Sequence, residues 1–212
     1  MILTGRAIQW LVEAPELRRG IKIEPFDPVL LNTVSYDVTL GSQFKVYQSA
    51  VTVGQKGTVA GEEWFPKESS FASDCLQSKS PNPTYEMNLE YGQDVLLRPG
   101  IGYLAHTIEI IGSDYFVGIL DGKSSIGRQF IQIHSTAGFI DPGYYGQITL
   151  EIMVAHPVCL TVGQRIGQVR FMRPDDYDLG IGMELYKGHY AKDNMGAVAS
   201  KVHEQVAEHF KK

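Results

Sequence analysis

The chain is 212 residues long, and its 43% hydrophobic and 20% charged residues are typical of a folded globular protein rather than a disordered or fibrous one. The net charge of −5 argues against a nucleic-acid polymer as partner, because proteins of that class usually carry a basic stripe. The N-terminus has no signal-like pattern and no run approaches about 18 apolar residues, which predicts no membrane span and a cytoplasmic location. Cys75 and Cys159 lie far apart outside any Cys-x-x-Cys context, so we expect free thiols in a reducing compartment.

The elements in chain order predict a fold built almost entirely from β-strands. A short helix is expected over residues 4–14, capped by Thr4 and stopped by Pro15. Period-two alternation follows over residues 21–47, and residues 48–92 predict irregular loops with short strands. The runs QDVLLRPG, GYLAHTIEI and DYFVGILDG then come in quick succession with Gly or Pro between them, which favours a closed or double-sheet all-β fold.

The C-terminal part differs in character, and we expect one domain over residues 1–212 with its core at 21–173 and a closing tail at 174–212. The tail is polar and Gly-rich up to Gly196, as expected of a segment that folds over a ligand. Beyond it, apolar residues recur at every fourth position, which predicts an amphipathic helix with a structural or intersubunit role; they are Val198, Val202, Val206 and Phe210.

The stretch from Asp121 to Glu151 holds the densest polar chemistry of the chain. Glu151 interrupts the run ITLEIMV, which otherwise has the pattern of a half-buried strand. A carboxylate buried there costs several kcal/mol, on the order of other buried charges, unless it is paired, and Arg128 is the obvious cation. The alternative is that Glu151 points to solvent from the polar face of an edge strand.

Two strings in this stretch resemble the motifs of a known family. GKSSIGR at 122–128 resembles the phosphate-binding motif, and HSTAGFIDPGYYGQITLE at 134–151 the base-and-sugar hairpin and catalytic strand, of the dCTP deaminases in the trimeric dUTPase superfamily. Weaker similarities follow in the family's order: SYDVTLG at 35–41, LLRPG at 96–100, GQRIGQVRF at 163–171 and NMGAVASK at 194–201. The resemblance implies a distorted β-barrel that forms a homotrimer with active sites shared between subunits.

The resemblance also implies which residues carry the chemistry. Deamination of cytosine needs water added at C4 and a proton passed to the ring and the departing ammonia, and one carboxylate can do both. By resemblance Glu151 is that carboxylate, the Ser124 hydroxyl and the Ala137 carbonyl hold the water, and Arg128 balances the developing charge. Zinc deaminases carry a His-x-Glu and Pro-Cys-x-x-Cys signature that this chain lacks. We therefore expect no zinc and no metal held by the protein, with Mg²⁺ arriving bound to the triphosphate.

Substrate contacts are implied in the same way. Phosphate oxygens would meet Lys123, Ser125 and Gln168, and the sugar 3′-hydroxyl would meet Asp141, although Asp-Pro-Gly is turn chemistry in any case. Tyr144 or Tyr145 would exclude ribose by packing against C2′. The expected substrate-binding residues are Lys123, Ser125, Ile126, Gly127, Asp141, Thr149, Leu150, Gln168, Tyr186, Lys192 and Asn194. Asp37 has a family counterpart that supports the nucleotide site, but a strand-edge Asp is also an ordinary solvated or turn residue.

The product depends on Gly138. The string from His134 to Asp141 resembles the bifunctional members, which go on from dUTP to dUMP, and a glycine there leaves room for a second water beside the α-phosphate. We therefore expect a dCTP deaminase that also releases diphosphate. NMGAVASK instead resembles the tail of members that stop at dUTP, so a deaminase that releases dUTP is the alternative. A non-catalytic nucleotide-sensing or interaction domain is a further one, and the joint presence of Glu151, Arg128 and both serines argues against it.

Overall fold

The computed structural model begins with a capped helix, as the sequence predicts. It describes residues 1–14, 20–48, 58–59, 62–63, 76–175, 184–191 and 195–209. Helix α1 covers Gly5–Glu13, and the Thr4 hydroxyl accepts a hydrogen bond from the Ala7 N–H at 3.3 Å. Ile8 and Leu11 are buried, so α1 packs its apolar face on the core. Pro15, the predicted stop, lies outside the described residues.

Strands make up most of the rest, and every described pairing between them is antiparallel. The strands before residue 100 are β1 Lys22–Glu24, β2 Tyr36–Thr39, β3 Gln43–Tyr47, β4 Thr58–Val59, β5 Glu62–Glu63, β6 Thr84–Asn88 and β7 Asp94–Leu97. Those after it are β8 Tyr103–Gly112, β9 Val117–Gly122, β10 Ile131–Gln132, β11 Phe139–Ile140, β12 Tyr145–Val154, β13 Val158–Thr161 and β14 Arg165–Met172. A 3-10 turn at Pro28–Leu30, the short helix α2 at Ser124–Gly127 and the C-terminal helix α3 at Val202–His209 complete the described elements.

Two larger sheets share one hydrophobic core. The first has the order β10-β12-β8-β3-β6, with β1 also pairing with β8, and the second has the order β11-β9-β14-β2. Side chains from both sheets, such as Phe44 and Leu150 from the first and Val169 and Phe171 from the second, form one buried cluster. The all-β double-sheet prediction is confirmed. The three strand runs expected after residue 92 correspond to β7, β8 and β9.

Strand β12 carries the residues on which the site depends. Leu150, Ile152 and Val154 are buried, while Thr149, Glu151 and Met153 alternate with them on the other face. The register with β8 shifts between Gln147 and Thr149, and such a bulge re-aims the side chains that follow it. Strand β12 lies between β8 and β10, so the alternative of an edge strand is wrong.

The C-terminal helix is present, but its role is not core packing. None of its residues is buried, and Phe210 lies outside the described residues. Of the two cysteines, Cys159 is an exposed free thiol, and Cys75 lies outside the described part. No helix among the described residues combines the length and apolar character needed to cross a bilayer.

Candidate active site

A cavity of about 580 Å³ opens between strand β12, the preceding hairpin and the C-terminal tail. Strands β8 and β12 form its floor, residues 135–141 one wall, and side chains from the tail another. Its lining residues are Tyr47, Gly102, Tyr103, Leu104, Ser135, Thr136, Ala137, Phe139, Ile140, Asp141, Tyr144, Ile148, Thr149, Glu151, Met153, Tyr186, Tyr190, Val198 and Ser200. The volume falls within the range of pockets that hold small ligands.

Two of these lining residues carry a carboxylate, Glu151 and Asp141. The Glu151 backbone pairs with Leu104 of β8 on one side and donates to the Ile133 carbonyl at 2.9 Å on the other. The Ser135 N–H donates to Glu151 Oε2 at 2.7 Å, which fixes the carboxylate against the hairpin. No hydrogen bond to the other oxygen is found among the described residues, so this oxygen can accept one from a water or a ligand, as a group that transfers protons must.

Arg128 does not pair with Glu151 within one chain. It follows α2, is exposed, and makes no ion pair with Glu151 in the part of the chain that the structure describes. Ser124 and Ser125 are exposed on the same short helix. None of residues 123–128 lines the cavity, so the predicted water-holding and phosphate-binding groups lie apart from the carboxylate in the single chain.

The segment at 133–144, for which the name hairpin is kept from its motif, contains the predicted turn where the chain passes from β11 in one sheet to β12 in the other. Tyr144 N–H donates to the Asp141 carbonyl at 3.1 Å, and Gly143 has φ +93°. Pro142 before that glycine fits a type II β-turn, in which only a residue tolerant of positive φ takes the third position. The Asp141 side chain is exposed at the cavity, so the turn and a sugar-binding role are compatible.

The two tyrosines that follow separate clearly. Tyr144 lines the cavity and donates its hydroxyl proton to the Gln147 carbonyl at 2.8 Å, whereas Tyr145 does not line it. Burial, with the neighbouring Tyr186 adding to it, raises the pKa of Tyr144 to about 12, so its hydroxyl stays a neutral donor. Of the two tyrosines predicted to pack against C2′, only Tyr144 lines the cavity.

Gly138 lies directly against strand β9. Its carbonyl accepts the Leu120 N–H at 2.7 Å, and a Cβ added at Gly138 would stand 2.9 Å from the Leu120 carbonyl oxygen. The next neighbour of that Cβ would be the ring of His134, at 3.4 Å. The close backbone approach therefore requires the absence of a side chain here.

Lys123 is held by Asp37, which is fully buried. The Lys123 ammonium donates to Asp37 Oδ2 at 2.5 Å, Arg165 reaches the same oxygen at 3.4 Å, and Asn32 donates to Oδ1 at 2.7 Å. Asp37 does lie on β2, an edge strand of its sheet, but it is buried, so the alternative of a solvated residue is wrong. A buried carboxylate needs such partners, and here it fixes the base of the predicted phosphate-binding segment.

Gln168 supports the same segment. Its side-chain carbonyl accepts from the Ser35 hydroxyl at 2.8 Å, and its amide donates to the Gly122 carbonyl at 2.8 Å. Both the oxygen and the nitrogen of the Gln168 side-chain amide are therefore hydrogen-bonded within the chain, next to Lys123. Gln168 does not line the cavity.

The remaining predicted residues fall into three groups. Thr149 lines the cavity and accepts the Val198 N–H at 3.2 Å. Ile126 and Leu150 have buried side chains that belong to the core, so only their backbone is offered to a substrate, and Gly127 is exposed on α2. Lys192 and Asn194 lie outside the described residues.

Among the described residues, no group of three or more His, Cys, Asp or Glu side chains could hold a metal ion.

Sequence reasoning missed part of the tail wall. Tyr47, Tyr190 and Ser200 line the cavity, and the Ser200 N–H donates to the Tyr47 hydroxyl at 2.7 Å. Burial raises the pKa of Tyr47, with the charge of Glu151 a smaller contribution. Two features of the sequence could have indicated these residues. Tyr190 is an aromatic residue in a largely polar tail, and Tyr47 stands at the end of a strand with alternating polar and apolar residues.

Comparisons with known proteins agree on one family. A family model described as dCTP deaminase-like matches residues 2–174. A protein of Salinispora arenicola named "dCTP deaminase, dUMP-forming" is 37% identical over 187 residues, which cover 85% of each chain. Proteins of the same name are 37% identical over 80% of each chain in Leptospira biflexa, and 31% identical over 92% of this chain and 93% of its own in Clostridium acetobutylicum.

A solved structure gives the same fold. The crystal structure of 2′-deoxycytidine 5′-triphosphate deaminase from Agrobacterium tumefaciens matches with a TM-score of 0.54 at 22% identity, over 82% of this chain. This chain spans 48% of the length of that protein. By the match of the family model and by identity to full-length relatives, the chain belongs to the dCTP deaminase-like family.

Proposed function

We propose that this chain deaminates dCTP and then releases diphosphate, giving dUMP. The observation that carries the proposal is a single oriented carboxylate, Glu151, on the cavity face of an apolar strand. The names of relatives at 31–37% identity support the dUMP-forming reaction over the simpler one. Balanced, the reaction consumes dCTP and two waters and yields dUMP, ammonia and diphosphate.

In the first step, Glu151 takes a proton from a water as its oxygen bonds to C4 of cytosine. The same carboxylate passes that proton to ring N3. It then takes the proton of the new C4 hydroxyl and gives it to the amino group, so that the C4–N bond breaks, ammonia leaves and the C4 carbonyl of uracil forms. Ala137 lines the cavity, and its carbonyl would orient that water. Tyr144, which also lines the cavity, would exclude a 2′-hydroxyl by packing against C2′.

In the second step, another water attacks the α-phosphorus and the bond to the bridging oxygen of the β-phosphate breaks. The attacking water releases a proton to solvent as its oxygen becomes an oxygen of the α-phosphate, and diphosphate leaves with the Mg²⁺ that came with the substrate. Phosphate oxygens would be bound by Lys123 and Ser125. Gly138 keeps the hairpin close to β9, and the absence of a side chain there would leave room for the second water.

The proposal includes a homotrimer in which neighbouring chains share each site. Arg128 and both serines are exposed and lie outside the cavity that holds Glu151. A cyclic assembly can bring the phosphate-binding segment of one chain to the cavity of the next, because each interface is repeated around the ring. Arg128 from the neighbour would then balance the charge that develops beside Glu151.

The test is a time course with pure protein, dCTP and Mg²⁺, in which nucleotides, ammonia and diphosphate are each quantified. We expect dUMP, ammonia and diphosphate to rise together from the start without free dUTP. Accumulating dUTP without diphosphate would make the protein a deaminase only, and nucleotide binding without turnover would make it a non-catalytic member. Prior dialysis against a zinc chelator should leave turnover unchanged.

A further inference from the structure

Helix α3 stays at the surface, yet it is held in place by specific contacts. None of its residues is buried, so burial of apolar area does not explain its position. The Glu204 carboxylate contacts His189 Nδ1 at 3.1 Å, and the Lys201 ammonium donates to the His189 carbonyl at 3.0 Å. The helix thus docks on the preceding segment, residues 184–191.

That segment carries two cavity-lining tyrosines. Tyr186 and Tyr190 line the wall, and the Lys201 N–H donates to the Tyr190 hydroxyl at 3.1 Å. The Lys201 ammonium also lies 5.7 Å from the centre of the Tyr190 ring, within the range of a cation–π contact. On the other side, Tyr186 N–H donates to the Pro142 carbonyl at 2.8 Å, which ties the segment to the hairpin turn.

Residues 184–191 form neither helix nor strand, so these contacts decide where the two rings lie. A segment of this kind that is ordered before the ligand arrives removes an entropic cost from binding. If the ligand has to order the segment, the entropic cost of ordering weakens the binding of the ligand. The effect falls on affinity rather than on the chemical step, because no atom of the segment is needed to add water or break a bond in the reaction proposed.

We propose that His189, Lys201 and Glu204, here called the brace, are positioning residues that hold Tyr186 and Tyr190 on the cavity wall before the nucleotide binds. This assignment rests on the proposed function for the identity of the ligand. It gives the C-terminal helix a role in substrate affinity, with the reacting groups left to the hairpin and strand β12.

The chain offers a matched pair of variants. Glu204→Gln removes the nearer of two carboxylates that contact His189, at 3.1 Å from Nδ1, whereas Glu208→Gln removes the farther one, whose side chain is 70% exposed and 3.6 Å from Nε2. We expect Glu204→Gln to raise KM for dCTP by about two- to fivefold, the size of a partly exposed ion pair, with kcat unchanged. Glu208→Gln should also leave kcat unchanged and should raise KM clearly less than Glu204→Gln does, because its contact with His189 is longer and more exposed.

Lys201 provides an independent check. Lys201→Met removes the donor to the His189 carbonyl and the cation above Tyr190, so KM should rise again with kcat unchanged. Lys201→Arg keeps a cation and donors, and should restore KM to within about twofold of the parent. A fall in kcat with unchanged KM in either loss-of-contact variant would overturn the proposal.

Hydrogen exchange separates this proposal from the proposed function. In ligand-free protein, amides of residues 186–191 should exchange faster in Glu204→Gln and Lys201→Met than in the parent and in Glu208→Gln. That result would support the brace even if dCTP were not the substrate. Equal exchange in Glu204→Gln and Glu208→Gln would overturn the brace even if dCTP were deaminated.

Discussion

Two regions with linked chemistry are built differently in this molecule. The cavity region, formed by the hairpin at 133–144, strand β12 and the tail, is a closed arrangement in which Glu151 is already oriented. The predicted phosphate-binding segment at 122–128 follows strand β9 of the other sheet, and its Ser124, Ser125 and Arg128 are exposed outside that cavity. A single chain therefore orients the carboxylate but holds these polar and charged groups apart from it, which is the arrangement that the proposed sharing of sites between chains requires.

The largest effect should come from the cavity region. Glu151→Gln keeps an acceptor for the Ser135 N–H but removes the group that takes the proton, so dCTP turnover should fall by at least about 10²- to 10⁴-fold. Circular dichroism and the elution volume of the oligomer should match the parent. A folded variant that deaminates dCTP at near the parent rate would refute the role of Glu151.

Complementation between chains tests the separation of the two regions. Arg128→Ala alone should lose most activity, as Glu151→Gln does. When the two inactive variants are co-refolded into mixed trimers, about one quarter of the sites should combine an intact Glu151 with an intact Arg128 from the neighbour. Activity near that fraction of the parent would support shared sites, whereas no recovery would mean that both residues act from the same chain.

The sequence predicted the local elements of the cavity region better than the long-range contacts that hold the rest of the fold together. Local patterns were sufficient for α1, for the strand that carries Glu151 and for the Asp-Pro-Gly turn, since each depends on neighbours in the chain. They were insufficient for Asp37, which looked like a solvated strand-edge residue and is fully buried under Lys123 and Arg165. Contacts between residues 86 or 128 positions apart in the chain leave no periodic signal.

Glycine at 138 links the cavity wall to strand β9, so its replacement should disturb both regions moderately. Gly138→Ala brings a Cβ to 2.9 Å from the Leu120 carbonyl oxygen, and relieving that contact should cost about 1–3 kcal/mol of unfolding free energy. A hairpin displaced from β9 should also let free dUTP build up during turnover of dCTP. Denaturant titration and product analysis measure the two effects.

Gly127→Ala is the control for stability, because a Cβ there meets no atom within 4 Å. Its unfolding free energy should stay within about 0.5 kcal/mol of the parent, as for most surface substitutions. If Gly138→Ala is as stable as Gly127→Ala and forms dUMP without free dUTP, the close approach to β9 does not matter for either property.

The smallest effect concerns Glu109, which joins the sheet of the cavity to the sheet of the phosphate-binding segment. It extends from β8 and accepts hydrogen bonds from the Thr39 hydroxyl at 2.8 Å and the Thr39 N–H at 3.0 Å on β2. Burial raises the pKa of Glu109 above the ordinary value of 4.5 despite these bonds. The folded state therefore holds the proton more tightly than the unfolded state, and this group's contribution to stability falls as pH rises from about 4.5 through its folded pKa.

Glu109→Gln should remove that contribution, so the unfolding free energy of the variant should fall less steeply than that of the parent as pH rises through this window. Glu86→Gln provides a control of opposite sign, because the side-chain hydrogen bond from Asn88 and the nearby Lys45 lower the pKa of Glu86. Its loss should remove stability that the parent gains as pH rises through the acid range. Denaturant titrations at a series of pH values measure both differences. If Glu109→Gln instead separates the unfolding into two transitions, Glu109 couples the two sheets, and the two regions are independent without it.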